Sequence, residues 1–283
     1  MENRCFLGVD GGASSTRAIL IDRNGTVRGH GSGGNGNHQG QGYAEALANV
    51  RHAVYGACAE AGIGGAGISY AHFALAGDDV EDDDLRLTDG LRESFPGLRF
   101  TLTNDVFAGL RAGAPHGFGI AVNCGSGCGA VGRNQGGTAL LIPDLGYQFG
   151  DSGGGIQIAR DAVRAVIRAW QGRGPATALT PTVLRLFEQP DVKALYTALY
   201  RDTVHHQHVV EQVFRRLTRE VLVLARAGDE PALAILRHIG DELGVAGGAL
   251  ARRLGLTESS FPFVLTGGTF RTLDSALARA AIE

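Results

Sequence analysis

Apolar residues recur along this chain with two spacings. Short runs alternate with a period of two, longer ones return every three or four positions, and the exchange between them predicts strands interleaved with helices. Phe6 to Val9 leads into Asp10 and a Gly/Ser turn over 11–16. A second run over 17–22 and the tight turn Arg23-Asn24-Gly25-Thr26 follow, so residues 4–29 read as a β-hairpin. Ala46, Leu47, Val50 and Val54 share one face of a helix over 43–61. A strand over 71–76 ends at Gly77, and the acidic run from Asp78 to Asp84 opens a helix reaching about residue 95. A strand over 99–103 stops at Asn104-Asp105, before a short helix over 106–112. The Gly/Asn-rich stretch over 29–42 reads as a loop.

Pro115-His116-Gly117 interrupts this pattern and is the expected domain boundary, giving domains over 1–115 and 116–283. Beyond it the opening theme returns: Ile120-Ala121-Val122, then Asn123, then the small residues from Cys124 to Ala130 and a turn over 133–138. Helices are expected over 156–170, 182–187, 209–227 and 230–254. A last strand over 262–266 meets Gly267-Gly268, and a helix runs on to the end. This order of elements predicts an α/β fold.

Composition narrows the chemistry. At 283 residues the chain can hold two domains that each bury a core. A net charge of −3 gives no support for nucleic-acid binding. Neither a basic-then-apolar leader nor a run of about 18 apolar residues is present, so a cytoplasmic protein without a membrane span is expected. Cys5, Cys58, Cys124 and Cys128 are too scattered for a disulfide framework. The chain has one lysine, Lys193. Folds that need a lysine beside a Gly-rich loop or on a strand to hold phosphates are therefore excluded, and a nucleotide must be held by backbone amides, hydroxyls and a metal.

The two Gly-rich turns fit that requirement, because glycine lets backbone N–H groups approach anionic oxygens. One such hairpin is weak evidence; two in one chain point to a polyphosphate. Asp10, at a strand end, is a candidate for holding Mg²⁺, in part through water. Asp105 reads equally as a helix cap or as a general base taking a hydroxyl proton. The loop from Gly146 to Gly155 places Asp151 before three consecutive glycines, Gly153 to Gly155, a pattern that favours close approach to a ligand. Cys124 and Cys128 read as small packing residues rather than half of a metal site. His205, His206 and His208 read as a solvated helix start, and the Asp78–Asp84 run as a complement to a helix N-terminus.

Taken together, these motifs resemble the acetate and sugar kinase, chaperone and actin (ASKHA) superfamily. Within it they are most similar to the BadF/BadG/BcrA/BcrD ATPase-type family, which includes N-acetylglucosamine and glucosamine kinases. Asp10-Gly11-Gly12 matches the first phosphate motif, Asn104-Asp105 the catalytic-base motif, and Asn123 to Gly129 the second phosphate loop. Gly150-Asp151 matches the sugar-contacting Gly-Asp, and Leu265 to Phe270 the adenosine motif.

The resemblance implies a two-domain ribonuclease H-like (actin-like ATPase) fold with a ligand cleft between the domains. It implies ATP and Mg²⁺ as cofactors and phosphorylation of an amino sugar at its 6-hydroxyl, with Asp105 as base. The nucleotide would be held by Asp10, Gly11, Gly12, Ser14, Ser15, Thr16, Gly125, Ser126, Gly127, Gly267 and Gly268, with Asp10 serving the metal. The sugar would meet Asn37, His38, Asn104, Asp105, Gly146 and Asp151. The expected partner is a small sugar, with no nucleic acid and no membrane, and a homodimer is left open as the assembly. An ATPase that activates a partner enzyme and a non-catalytic sugar or nucleotide sensor are the alternative readings.

Three departures from the family pattern stand out. The usual Gly-Thr-Gly-Ser of the second loop is Gly125-Ser126-Gly127-Cys128. The usual Gly-Asp-Glu-Gly-Ser is Gly150-Asp151-Ser152-Gly153-Gly154, so the glutamate of the sugar pocket is a serine. Members also continue past the adenosine motif with a further strand and helix, beyond the span ending at Glu283.

Overall fold

A computed structural model describes residues 4–146, 149–202, 207–270 and 276–282, with the side chains at 202 and 207–212 left aside. His205 and His206 lie outside the described residues. The chain divides into two compact units, Met1–Phe118 and Gly119–Glu283.

In the first unit, β1 (Cys5–Gly11), β2 (Thr16–Asp22) and β3 (Val27–Gly33) form an antiparallel meander. Helix α1 (Tyr43–Ala61) then leads to β4 (Ile68–Leu75), and α2 (Glu81–Ser94) to β5 (Phe100–Thr103) and α3 (Val106–Gly113). The sheet order is β3-β2-β1-β4-β5, with β4 parallel to both β1 and β5. Alternation along the strands sends Leu7, Val9, Ala18, Leu20, Ala71 and Phe73 into a core with Val50, Val54 and Leu91 of the helices. The same alternation turns Asp10 and Arg17 to the opposite face.

Strand β3 departs from the expectation of a loop after residue 29. Its glycines alternate, and Gly29, Gly31 and Gly33 bring the strand against the backbone of α1. A Cβ on Gly31 would collide with the Ala53 carbonyl and stand 2.6 Å from the Ala57 amide nitrogen. The two-residue step of the strand meets the four-residue step of the helix (Asn49, Ala53, Ala57). Helix and strand therefore touch backbone to backbone, and no apolar side chain is needed there.

The second unit repeats the theme. β6 (Gly119–Cys124), β7 (Cys128–Arg133) and β8 (Ala139–Ile142) form a meander, and β9 (Phe263–Thr266) lies parallel to β6 in the order β8-β7-β6-β9. Helices α4 (Gly154–Trp170), α5 (Leu179–Leu186), α6 (Val192–Asp202), α7 (Gln207–Arg226) and α8 (Glu230–Arg253) separate β8 from β9, and α9 (Ala276–Ile282) follows. The sequence pattern did not predict α6. The core gathers Ile120, Val122, Ile158, Leu217, Ile239 and Leu277, among others. Cys124 and Cys128 face each other across the β6–β7 turn and are buried in that core. No described helix is long and apolar enough to cross a membrane.

Candidate active site

In the first unit the carboxyl ends of three strands lie side by side. Gly11 pairs with Leu75, and Asp10 stands in the row Asp10–Ala74–Thr103 across β1, β4 and β5. Two strand spacings of ~4.8 Å each set the backbones of Asp10 and Thr103 about 10 Å apart, and Asp105 follows two residues beyond Thr103 at the same end of the sheet.

Asp105 occupies the N-cap position of α3 but makes no side-chain capping bond. Asn104 supplies it instead: its Oδ1 accepts the Val106 N–H at 3.0 Å. The Asp105 carboxylate is thus held at the mouth of the strand, half-buried. Desolvation raises its pKa to about 7, reinforced by the charges of Asp10 and Asp79, while the amides of Val106 and of Asp105 itself oppose the rise. A carboxylate that titrates near neutrality is suited to accept a proton from a hydroxyl.

Asp10 keeps solvent-accessible surface, yet enough protein surrounds its carboxylate that burial raises its pKa, with Arg17 pulling the other way. An exposed hard oxygen donor beside a second carboxylate fits a magnesium ion that retains most of its water. Among the described residues no group of three His, Cys, Asp or Glu side chains converges as a protein-only metal cage. Asp10 with water and phosphate oxygens is the arrangement these donors suit.

The β1–β2 turn is tightly laced. Gly12 N–H donates to the Ser15 carbonyl (3.0 Å) and Gly36 N–H to the Gly12 carbonyl (3.0 Å), so the 34–38 loop lies across the turn. Ser14 and Ser15 are exposed there. Thr16 is different: it is wholly buried and its hydroxyl donates to the Gly34 carbonyl (2.9 Å). Its side chain ties the turn to the loop instead of facing outward.

The 35–41 loop likewise uses part of its polar inventory on itself. Asn37 Oδ1 accepts the Gln39 N–H at 2.8 Å, and Asn37 Nδ2 donates to Gln39 Oε1 at 3.2 Å. His38 Nε2 lies 2.8 Å from the Gly77 carbonyl and 3.1 Å from Asp83 Oδ1. Its ring stacks on Tyr43 with centroids 4.0 Å apart, and the Tyr43 hydroxyl donates to the same Asp83 oxygen at 2.7 Å. His38 is therefore a clasp between loop and helix. Asn104 is equally committed, as a buried residue with both amide functions bonded.

The acidic run divides in two. Glu81 to Asp84 form the first turn of α2, as a complement to the helix N-terminus requires. Asp78 and Asp79 precede it, and Asp79 bonds Gln39 and Asn104 instead of the helix. Crowding by Asp84, Asp79 and Asp83, after burial itself, raises the Asp78 pKa to about 7.

In the second unit, Gly125, Ser126 and Gly127 form the β6–β7 turn, closed by a Gly125 N–H to Gly127 carbonyl bond of 2.9 Å. The N-terminus of α4 is pressed against it. Gly155 N–H donates to the Gly125 carbonyl (2.8 Å) and Ile156 N–H to the Ser126 carbonyl (3.1 Å). Gly154 has φ +82°, and a Cβ there would stand 2.5 Å from the Gly127 Cα, which explains the run of glycines. Gly267 rests on the other side of the turn, where a Cβ would lie 2.7 Å from Asn123 Oδ1, and Thr269 donates its hydroxyl to the Cys124 carbonyl. Space around Gly268 is open.

Asp151 Oδ2 accepts the Gly146 N–H at 2.6 Å. Asp144 was not singled out by the sequence. Its Oδ2 accepts the Cys128 N–H at 3.0 Å directly behind the turn, and burial followed by the charge of Asp151 raises its pKa. No motif spacing marks it.

The site residues thus form two groups, one at the strand ends of each unit: carboxylates and a polar loop in the first, a glycine-lined turn in the second. The sequence profile of the BadF/BadG/BcrA/BcrD ATPase family matches residues 7–281. The N-acetyl-D-glucosamine kinase of Dictyostelium discoideum is 28% identical over 278 residues, covering 95% of this chain and 86% of that protein. A solved structure from Chromobacterium violaceum, provisionally named an N-acetylglucosamine kinase, shares 28% identity at a TM-score of 0.76, covering 97% of this chain and 90% of that one. A glucokinase of the ROK family from Streptomyces griseus, solved with glucose and AMPPNP, aligns over 98% of this chain and 88% of its own at a TM-score of 0.57. Its 18% identity speaks for the shared fold alone.

Proposed function

The chain belongs to the BadF/BadG/BcrA/BcrD ATPase family, and on that premise we propose that it is an ATP-dependent amino-sugar kinase. The phosphoryl group goes to the 6-hydroxyl of N-acetylglucosamine or glucosamine, the sugars named for its relatives from Dictyostelium discoideum and Vibrio cholerae. The observation that carries this reading is the placement of Asp105, a carboxylate at a strand end that does not cap its helix and titrates at about 7.

In this reading residues 1–115 and 116–283 act as two domains, each contributing residues that hold the ligands. Asp105 accepts the proton of the sugar hydroxyl as the oxygen attacks the terminal phosphorus of ATP, whose bond to the bridging oxygen breaks so that ADP leaves. General-base catalysis of this kind is worth roughly 10²–10⁴ in rate. The amides of the 11–15 and 125–127 turns, apart from those of Gly12 and Gly125 that close the turns, direct their dipoles to the phosphate oxygens. Gly267 and Gly268 flank the nucleoside. Asp10 would hold a magnesium ion, whose chemistry is to neutralise charge on the phosphates. Asn37 and Asp151 orient the sugar, and water kept from the site cannot compete as acceptor.

Asp105→Asn tests the assignment. It keeps the shape and removes the base, so the rate of sugar phosphorylation should fall at least ~100-fold with little change in KM for ATP. Turnover equal to that of the wild type would remove Asp105 from the reaction.

A further inference from the structure

The short loop between β4 and α2 is gripped from two sides. From the 35–41 loop, Gln39 Nε2 donates to Asp79 Oδ2 at 2.9 Å, and His38 Nε2 lies 2.8 Å from the Gly77 carbonyl. From the end of β5, Asn104 Nδ2 donates to Asp79 Oδ1 at 2.9 Å and to the Asp78 carbonyl at 3.3 Å. Asp79 commits one carboxylate oxygen to each neighbour. Asn104 passes the connection on, because its Oδ1 accepts the Val106 N–H beside Asp105.

This is not the behaviour of a residue that merely complements a helix N-terminus. Asp79 lies outside α2, which begins at Glu81, and its carboxylate accepts from the side-chain amides of two other segments, Gln39 and Asn104. Hydrogen bonds to an ionised carboxylate are about twice as strong as neutral ones. The chain Gln39–Asp79–Asn104–Val106 is a continuous path of hydrogen bonds, two of them to the carboxylate, from the polar loop to the start of α3.

We propose that Asp79 is a positioning residue, a carboxylate strut that joins the 37–39 loop to Asn104 and thereby fixes where Asp105 stands relative to the bound sugar. The proposal rests on the sugar-kinase reading of this site. In this role Asp79 acts through Asn104, and it makes occupancy of the loop and placement of the base one event. A sugar that orders Gln39 also firms the contact behind Asn104.

The polarity of the strut supplies its test. Asp79 accepts on both sides. Asp79→Asn leaves one acceptor and sets an amide donor against the donor of Gln39 or Asn104. Adding Gln39→Glu returns an acceptor to face that donor, with the net charge of the wild type. For Asp79→Asn the KM for sugar should rise about tenfold or more and kcat should fall, with KM for ATP unchanged. Gln39→Glu/Asp79→Asn should recover most of the loss. If the Asp79 variants do not fold, Gln39→Ala, at an exposed side chain, should still raise the KM for sugar severalfold. Independently of any sugar, hydrogen exchange at the Val106 and Phe107 amides should quicken in Asp79→Ala, or in Gln39→Ala if only that variant folds. Unchanged sugar KM, absence of rescue by the double variant, or unchanged exchange would each overturn the strut. A wild-type protein that phosphorylates no amino sugar would overturn the kinase reading instead, and exchange alone would then decide the role of Asp79.

Discussion

Replacing Asp105 by Asn should stabilise the ligand-free protein, and by an amount that depends on pH. The folded structure raises the Asp105 pKa from 3.8 to about 7 through burial and the charges of Asp10 and Asp79. A group whose pKa is higher when folded favours the folded state fully below its unfolded pKa. That contribution is lost as pH rises through the folded value. At ~1.4 kcal/mol per tenfold change, a rise from 3.8 to about 7 corresponds to about 4 kcal/mol at its limit, and partial exposure brings this to about 2–4 kcal/mol. Asparagine is uncharged at every pH and avoids the cost. Urea unfolding of both proteins without nucleotide should therefore give similar free energies near pH 4. The variant should gain steadily to about pH 7 and then hold an advantage of about 2–4 kcal/mol. A difference that does not change with pH, or a wild type that is the more stable at about pH 8, would refute the placement of this carboxylate in a desolvated, acidic setting.

Other consequences follow from the same geometry. Gly31→Ala should destabilise the first unit by about 3 kcal/mol or more in chemical unfolding, because its Cβ would meet the backbone of α1, which has no side chain to move aside. Gly127→Ala drives a methyl group into the Asp144 carboxylate; nucleotide titrations should show affinity for ATP weakened about tenfold or more, with the far-ultraviolet dichroism retained. The pH profile of kcat/KM should fall about tenfold per pH unit on the acid side of about 7, as Asp105 gains its proton, and that limb should vanish in Asp105→Asn.

Much of this organisation is legible in the sequence, and the exceptions have physical causes. The β1–β2 and β6–β7 hairpins show because alternating apolar residues stop at Gly-rich turns. Parallel pairing of β4 with β1 and of β9 with β6 then sets the second strand end beside each turn. Strand β3 does not show, because Gly29, Gly31 and Gly33 pack on helix backbone and leave no hydropathy signal. Asp10 and Asp105 stand at strand ends, as their flanking runs suggest. Residue type alone cannot say that Thr16 and His38 bond to Gly34, Gly77 and Asp83 within the fold. The acidic run reads as a single feature in the sequence, but α2 begins at Glu81, which leaves Asp79 to bond Gln39 and Asn104. Asp144 has no signature at all, since its role depends on a turn sixteen residues earlier in the chain.

The most direct measurement is the identity of the product. The protein, Mg-ATP and N-acetylglucosamine or glucosamine should be incubated together and the mixture followed by phosphorus–proton correlation spectroscopy. The expected product is a phosphate ester coupled to the two C6 protons of the sugar, formed in step with ADP and not formed by Asp105→Asn. Phosphate attached elsewhere on the ring, or ADP and free phosphate without any sugar ester, would contradict it.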